Sequence, residues 1–342
     1  MAELTGPSLS VVIPVHNSAR TLERCLSAVC AQRGSSDEVI VVDDGSTDGV
    51  KAVASRFKVI LIQLDRQSGA AAARNRGADR ATRPLLFFVD ADVVLHADAL
   101  ARGRAHFNDS EIDGVIGSYD DSPEAPNLVS QFKNLAHHYF HQRADGRIGS
   151  FWGGCGFIKR DVFLAAGGFD ERRFSRPSIE DVELGWRITD RGGRIILDPR
   201  ILGTHLKRWT FGSLIKADVL YRAVPWVRWS LERRRLGAEL NAGPLQKVAL
   251  VLTVLLVASG LAAIASGAAR VSFVGLAGMA LAINLPLFRL FWRRGGASLF
   301  VAGFLLQQVY YCCALAGLLL GIARYYWPGR RPVSAPAARV GA

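Results

Sequence analysis

Four short polar groups in this 342-residue sequence carry residue types able to do chemistry: His16-Asn17, Asp43-Asp44, Asp90-Ala91-Asp92 and Glu180-Asp181. Carboxylates are the oxygen ligands that Mg²⁺ or Mn²⁺ takes. A carboxylate beside a reacting hydroxyl can also act as general base. Glu180 and Asp181 open an amphipathic stretch running to about Arg191, where acidic residues also complement a helix dipole. The other three groups each follow a short apolar, β-branched run: LSVVIPV from Leu9, EVIVV from Glu38 and LLFFV from Leu85.

Such continuous apolar runs are the pattern of buried parallel strands. Between them lie helical segments. One is capped at Asn17 or Ser18 and carries Leu22, Leu26 and Val29 on one face; another runs from about Gly69 to Ala81. Lys58 to Gln63 is a further strand. Strand alternating with helix predicts a doubly wound α/β sheet, whose ligands bind at the carboxyl ends of the strands. Asp, Asn and Gly are also ordinary turn and cap residues, but three polar groups on one sheet edge favour a site. Asp109 to Phe151 has mixed signals. An ordered pattern resumes at Trp152, with a short helix from Asp161 to Ala166 ending at Gly167-Gly168.

The net charge is +12, and half of the residues are hydrophobic. Much of the basic excess flanks apolar segments, at Arg233, Arg234, Arg235, Arg293, Arg294, Arg330 and Arg331. That placement suits lipid head groups, and no nucleic-acid-binding motif accompanies it. The five cysteines have no CxxC spacing, which argues against a zinc site, and their odd number suits a reducing compartment. The opening MAELTGPSLS has no charged n-region or long apolar stretch, so the first domain is expected to stay in the cytosol. Phe211 to Leu236 mixes Trp and Arg with aliphatic residues, as an interfacial helix does and as a packed amphipathic helix also does. Three apolar stretches follow, Val248–Ala269, Val271–Phe288 and Leu299–Ala323, each near the ~20 residues that cross a bilayer. Three crossings put Arg293 and Arg294 inside but Arg324, Arg330 and Arg331 outside, against the positive-inside rule. A re-entrant first stretch is one resolution. The expected organisation is a catalytic domain over 1–209, an amphipathic interfacial segment over 210–243, two or three membrane helices over 244–327 and a disordered tail over 328–342.

The blocks Val11 to Asn17, Val41 to Asp48, Gly69 to Gly77, Asp90-Ala91-Asp92, Gly167 to Glu171 and Ser178 to Arg187 together resemble glycosyltransferase family 2, which has the GT-A fold. The resemblance covers about Leu9 to His205. It implies a nucleotide-sugar donor, with uridine as the first expectation, and a divalent cation, Mg²⁺ or Mn²⁺, at the leaving diphosphate. Asp92 would be the direct metal ligand. Asp90 would bind the ribose, or the ion through water, and His205 is a further candidate for the metal or the diphosphate. Asp43 and Asp44 would read base and ribose, with Pro14 and His16 flanking the base. Arg74 would approach the diphosphate or brace Asp90, or form a buried ion pair. Asp181 would be the base of an inverting displacement and Glu180 would orient the acceptor. Trp152 and Trp186 are acceptor candidates, Trp152 also a core residue. The implied protein is a multi-pass enzyme of the inner (plasma) membrane with a cytosolic catalytic domain, acting on a hydroxyl of a lipid-linked or glycan acceptor in cell-envelope polysaccharide synthesis. A polyprenyl-phosphate acceptor needs no base, and Glu180-Asp181 argues against it. A processive synthase would carry Gln-x-x-Arg-Trp, which neither Arg208-Trp209 nor Arg228-Trp229 completes. A non-catalytic membrane scaffold is opposed by the intact Asp90, Asp92 and Asp181.

Overall fold

The computed structural model describes residues 6–144, 146–234 and 243–327. Arg235, Arg330, Arg331 and the tail expected over 328–342 lie outside the described residues. The described residues divide into two compact units: one built from the residues up to Glu124 together with those between His141 and Lys207, the other from Ala125–Phe140 and the described residues from Arg208 to Trp327.

The first unit holds a nine-stranded sheet among the described residues. In chain order its strands are β1 (Leu9–Val15), β2 (Glu38–Asp43), β3 (Ile60–Gln63), β4 (Leu85–Val89), β5 (Val93–Leu95), β6 (Gly114–Tyr119), β7 (Gly146–Ile148), β8 (Cys155–Lys159) and β9 (Ile195–His205). They lie side by side as β3-β2-β1-β4-β8-β6-β9-β5, with β7 paired to β9. The first four strands are parallel, joined by helices, as the α/β pattern predicts. Beyond β4 the sheet becomes mixed: β8 runs antiparallel to both β4 and β6, and β9 runs parallel to β6 but antiparallel to β5. β6 falls in the stretch the sequence left unread. Its six residues, GVIGSY, are all buried, but two glycines and a serine mask the apolar run.

The helix Ala70–Arg80 lies close against β1 and β2. Its inner face is almost only alanine and Gly77, and a Cβ on Gly77 would stand 2.3 Å from Val12 Cγ1. A small-residue face therefore brings the helix axis close to the sheet and delivers Arg74 to the strand ends. The helix Ala19–Gln32 starts after Ser18, as expected, but the Ser18 hydroxyl donates to the His16 carbonyl. Asp48, from the block after β2, instead accepts the Ala19 N–H at 2.9 Å, so a distant residue caps this helix.

The second unit is helical. It contains most of Leu128–Gln142, a run of Phe211–Lys216, a π-helical Ala217–Ala223 and Val224–Glu232, then Pro244–Ala262, Gly267–Ile283 and Leu285–Tyr326. Its core joins Phe132 and Leu135 to Trp209, Leu214, Leu287, Phe288, Phe291, Leu299 and Leu306. The apolar helices are divided differently from the expected stretches. Pro244 begins the first, Ser266 caps the second through the Ala269 N–H, and Asn284 with Pro286 ends the second and starts the third. Phe288 thus belongs to the third helix, and Arg293 and Arg294 are helical residues before a break at Gly295-Gly296. Two of the three helices are long and apolar enough to cross a membrane, Pro244–Ala262 and Leu285–Tyr326. The short one, at 17 residues, is the middle helix and not the first. Leu261, Ile264, Val271 and Val274 are each more than two-thirds exposed, an apolar surface of the kind that lipid covers.

Candidate functional site

The order β2-β1-β4 brings the ends of three parallel strands together, and with them His16, Asp43-Asp44 and Asp90. Asp43 closes β2 and accepts the Ser46 N–H at 2.9 Å. Asp44 is buried, and its two carboxylate oxygens accept the N–H groups of Ser68 and Gly69 at 2.6 and 2.8 Å. It shapes the turn that starts the Ala70–Arg80 helix. Gly69 sits there at φ +98°, and a Cβ would lie 2.5 Å from the Ser175 carbonyl oxygen. Beside its expected place at base and ribose, Asp44 therefore does backbone work for which the local sequence carries no signal. His16 Nδ1 donates to the Asp44 carbonyl at 2.8 Å, and Nε2 lies 3.1 Å from Asn17 Nδ2. Asn17 Oδ1 in turn accepts the Thr47 N–H. Pro14 ends up half-buried beside them on β1.

Arg74 is the buried centre of the site. Nη2 donates to Asp90 Oδ1 at 2.7 Å and Nη1 to Glu180 Oε1 at 3.0 Å, while the guanidinium lies over the Phe169 ring. The expected brace of Asp90 and the buried ion pair are therefore the same interaction, and it extends to the acidic helix Glu180–Thr189. Glu180 has both oxygens engaged, the second by the Ser178 N–H at 2.7 Å, so it acts on its surroundings through Arg74. Asp181 is half-buried and accepts the N–H groups of Gly153 and Val182 at 3.0 and 2.8 Å. Loss of solvation, helped by the neighbouring Glu180 charge, pushes its carboxyl up to about 7 against the pull of Arg74 and these N–H groups. Of the two tryptophans, Trp152 is half-buried next to Gly153. Trp186 is buried in the unit's interior; as position seven of an amphipathic helix it faces the core, which corrects its assignment as an acceptor residue.

Asp92 and His205 meet through sheet register. β5 pairs antiparallel with β9, Val93 opposite His205, and the Leu206 N–H donates to the Asp92 carbonyl at 2.8 Å. His205 Nε2 then lies 3.6 Å from Asp92 Oδ2. Burial alone would raise the Asp92 carboxyl, but His205 and Lys207 hold it below its ordinary range. The His205 ring stacks on Tyr119 with centroids 4.2 Å apart and planes 6° apart.

Among the described residues no three His, Cys, Asp or Glu side chains gather into a closed metal cage. Mg²⁺-like ions are commonly held by only one or two carboxylates plus substrate phosphates and waters, and neighbouring ligands of an octahedral ion stand about 3 Å apart. A carboxylate and an imidazole at 3.6 Å, with Asp90 nearby on the same short turn, fit an ion shared with a diphosphate. Behind this turn Cys25 and Cys155 are buried, with Cys25 Sγ donating to the Asp90 carbonyl. Burial pushes the Cys155 thiol up to about 12, which leaves it a neutral packing group.

Residues 10–165 match the family model described as Glycosyl transferase family 2. The chain is 31% identical over 242 residues to Glycosyltransferase AglE of Haloferax volcanii, a match covering 67% of this chain and 76% of that protein. It is 29% identical over 229 residues to a Pre-mycofactocin glycosyltransferase of Mycobacterium tuberculosis, covering 64% of this chain and 47% of that protein. The chain thus spans about half the length of the mycobacterial relative. Among solved structures, it resembles the mannosyltransferase PcManGT from Pyrobaculum calidifontis in complex with GDP-Man and Mn²⁺. The TM-score there is 0.65 at 21% identity, over 93% of this chain and 88% of that one. It also resembles GalNAc-T7 with UDP, GalNAc and Mn²⁺, with a TM-score of 0.52 at 18% identity, over 67% of this chain and 48% of that one. At such identities the likeness establishes the GT-A fold.

Proposed function

Since the chain belongs to glycosyltransferase family 2, we propose that it transfers a sugar, with inversion, from a nucleotide-sugar donor to a hydroxyl of a lipid-linked or glycan acceptor. The reaction takes place at the cytosolic face of the plasma membrane, where membrane lipids and the acceptor meet the enzyme. Asp181 carries this reading. It is a carboxylate in a packed setting, beside the Arg74–Glu180 ion pair, with a proton affinity near neutrality. A base for a hydroxyl works best when its pKa lies near the working pH.

In this mechanism the donor occupies the ends of β1, β2 and β4. Pro14 and His16 flank the base, Asp43 serves the nucleoside, and Asp44 contributes through the Ser68–Gly69 turn it holds. Asp92 and His205, with Asp90 alongside, would hold a divalent ion, Mg²⁺ or Mn²⁺, which when bound would supply charge neutralisation at the leaving diphosphate. Arg74 keeps Asp90 and Glu180 in register, so the donor edge and the acceptor edge form one rigid constellation. Asp181 takes the proton from the acceptor hydroxyl as it attacks the anomeric carbon, and Trp152 offers a half-exposed ring beside it. The neighbouring folds carry GDP-mannose in one case and UDP in the other, so guanosine and uridine donors are the first to test, with uridine expected.

Asp181→Asn preserves shape and removes basicity. Transfer should fall by ~10²–10⁴-fold, the usual contribution of a general base, with donor affinity unchanged by calorimetry. Transfer within a few-fold of wild type would instead favour an acceptor that is already ionised, a polyprenyl phosphate.

A further inference from the structure

The Asp92–His205 pair requires something to aim the imidazole, because a histidine side chain rotates about two bonds and only one ring nitrogen can serve. Metal-bound histidines are usually oriented by a hydrogen-bond partner on the other ring nitrogen, and an aromatic plane stacked on the ring restrains the same side-chain torsions from its face. We propose that Tyr119 is that positioning residue: its ring, clamped by Trp152, sets the His205 imidazole against Asp92. The proposal rests on the reading of Asp92 and His205 as the metal-holding pair.

The support begins in the backbone. Tyr119 closes β6 opposite Gly203 of β9, two residues before His205. The following residue, Asp120, donates its N–H to the Gly203 carbonyl and accepts the Thr204 hydroxyl. The strand end that carries Tyr119 is therefore locked to the strand end that carries His205. The near-parallel stack then covers one face of the imidazole. Tyr119 is buried, and the Trp152 ring stands edge-on to it at 4.8 Å and 85°. Trp152 is held in turn by the His141 ring, at 5.3 Å and 78°. His141 Nδ1 donates to the Gly117 carbonyl at 2.9 Å, on the same strand as Tyr119. The aromatic chain thus closes on β6 at both ends. It also reaches the base, since the residue after Trp152 is Gly153, whose N–H holds Asp181. One face of the His205 ring is consequently set by an aromatic plane, while Nε2 stays directed at Asp92.

The test is Mn²⁺ affinity of the full-length, detergent-solubilised protein, read by the electron paramagnetic resonance signal of free Mn²⁺, alone and with UDP or GDP. Tyr119→Leu should weaken Mn²⁺ binding about 10-fold, taking the lower end of what loss of a hydrogen-bonded outer partner costs as the scale for a lost stacking partner, and Tyr119→Phe should restore it to within about twofold. Thermal melting of each variant checks folding, and Tyr119→Met replaces Leu if that variant does not fold. Wild-type affinity in the ring-less variant, with affinity lost in His205→Ala, leaves the ligand pair standing and overturns the role of Tyr119. A Phe variant as weak as the Leu variant overturns it too, since the stacked ring is still present. Unchanged affinity in both Asp92→Ala and His205→Ala refutes the ligand pair, and the proposal with it.

Discussion

Asp181 makes two predictions at the scale of one residue. As a base it is active when ionised, so the transfer rate should climb as pH rises through about 7 and then level off. A pH–rate profile that is flat from pH 5.5 to 8.5 would contradict this. The same raised proton affinity bears on stability with the opposite sense. Between the ordinary carboxylate range and about pH 7 the folded state binds more protons than the unfolded one, so stability falls as pH rises across that window. Asp181→Asn removes this dependence. The melting temperature of the variant relative to wild type should therefore be higher at pH 8 than at pH 5, whatever the offset from losing one accepted N–H. For Asp92, replacement by Ala should abolish Mn²⁺-dependent donor turnover while leaving the melting curve close to wild type, because the side chain stands on a turn and a quarter of it is exposed. Near wild-type turnover, equally active in EDTA, would remove this carboxylate from the site.

The helix Ala70–Arg80 is the element on which the constellation depends. Its alanine and glycine face lets it sit against β1, and Arg74 projects from it to Asp90 and Glu180. A methyl at Gly77 has no room beside Val12. Gly77→Ala should lower stability by about 1–3 kcal/mol through overpacking, read as a lower urea midpoint, and should reduce turnover by displacing Arg74. Arg74→Met is the sharper probe. It leaves the buried Glu180 carboxylate without its cation, and breaking one side of such a pair destabilises by about 3–5 kcal/mol. A variant as stable as wild type would show that the Arg74–Glu180 ion pair does not support the fold.

At the scale of the whole molecule the question is how the chain meets the membrane. Two helices have the length and apolarity to cross, and the 17-residue Gly267–Ile283 stands at the lower limit of the lengths that span. If those two helices alone cross, the end of the long one, with Arg324, returns to the side from which the first sets out, in keeping with the positive-inside rule where that side is the cytosol. A reporter fused after the last residue should therefore lie on the cytosolic side, together with the catalytic unit. Opposite sides for the two would establish an odd number of crossings. The protein should also stay in the membrane fraction through a carbonate wash and be released by detergent.

Much of the first unit was legible because buried parallel strands are written as unbroken apolar runs. The segments from Leu9, Glu38 and Leu85 could hardly be anything else, and each is followed at once by the polar residues that gather on one sheet edge. The blocks that mark the family, from Val11 to Arg187, are local in the same way. The role of Arg74 was legible only as alternatives, since its two partners lie 16 and 106 residues away. The pairing of Asp92 with His205 depends on the register of β5 against β9, a long-range hydrogen-bond pattern without a local signature. Tyr119 lay in a stretch whose glycines concealed a buried strand, and Trp186 looked available until its helix turned it inward. Composition and periodicity specify which segments must be buried; which distant side chains then touch is decided by strand order, register and the close approach that residues such as Gly77 permit.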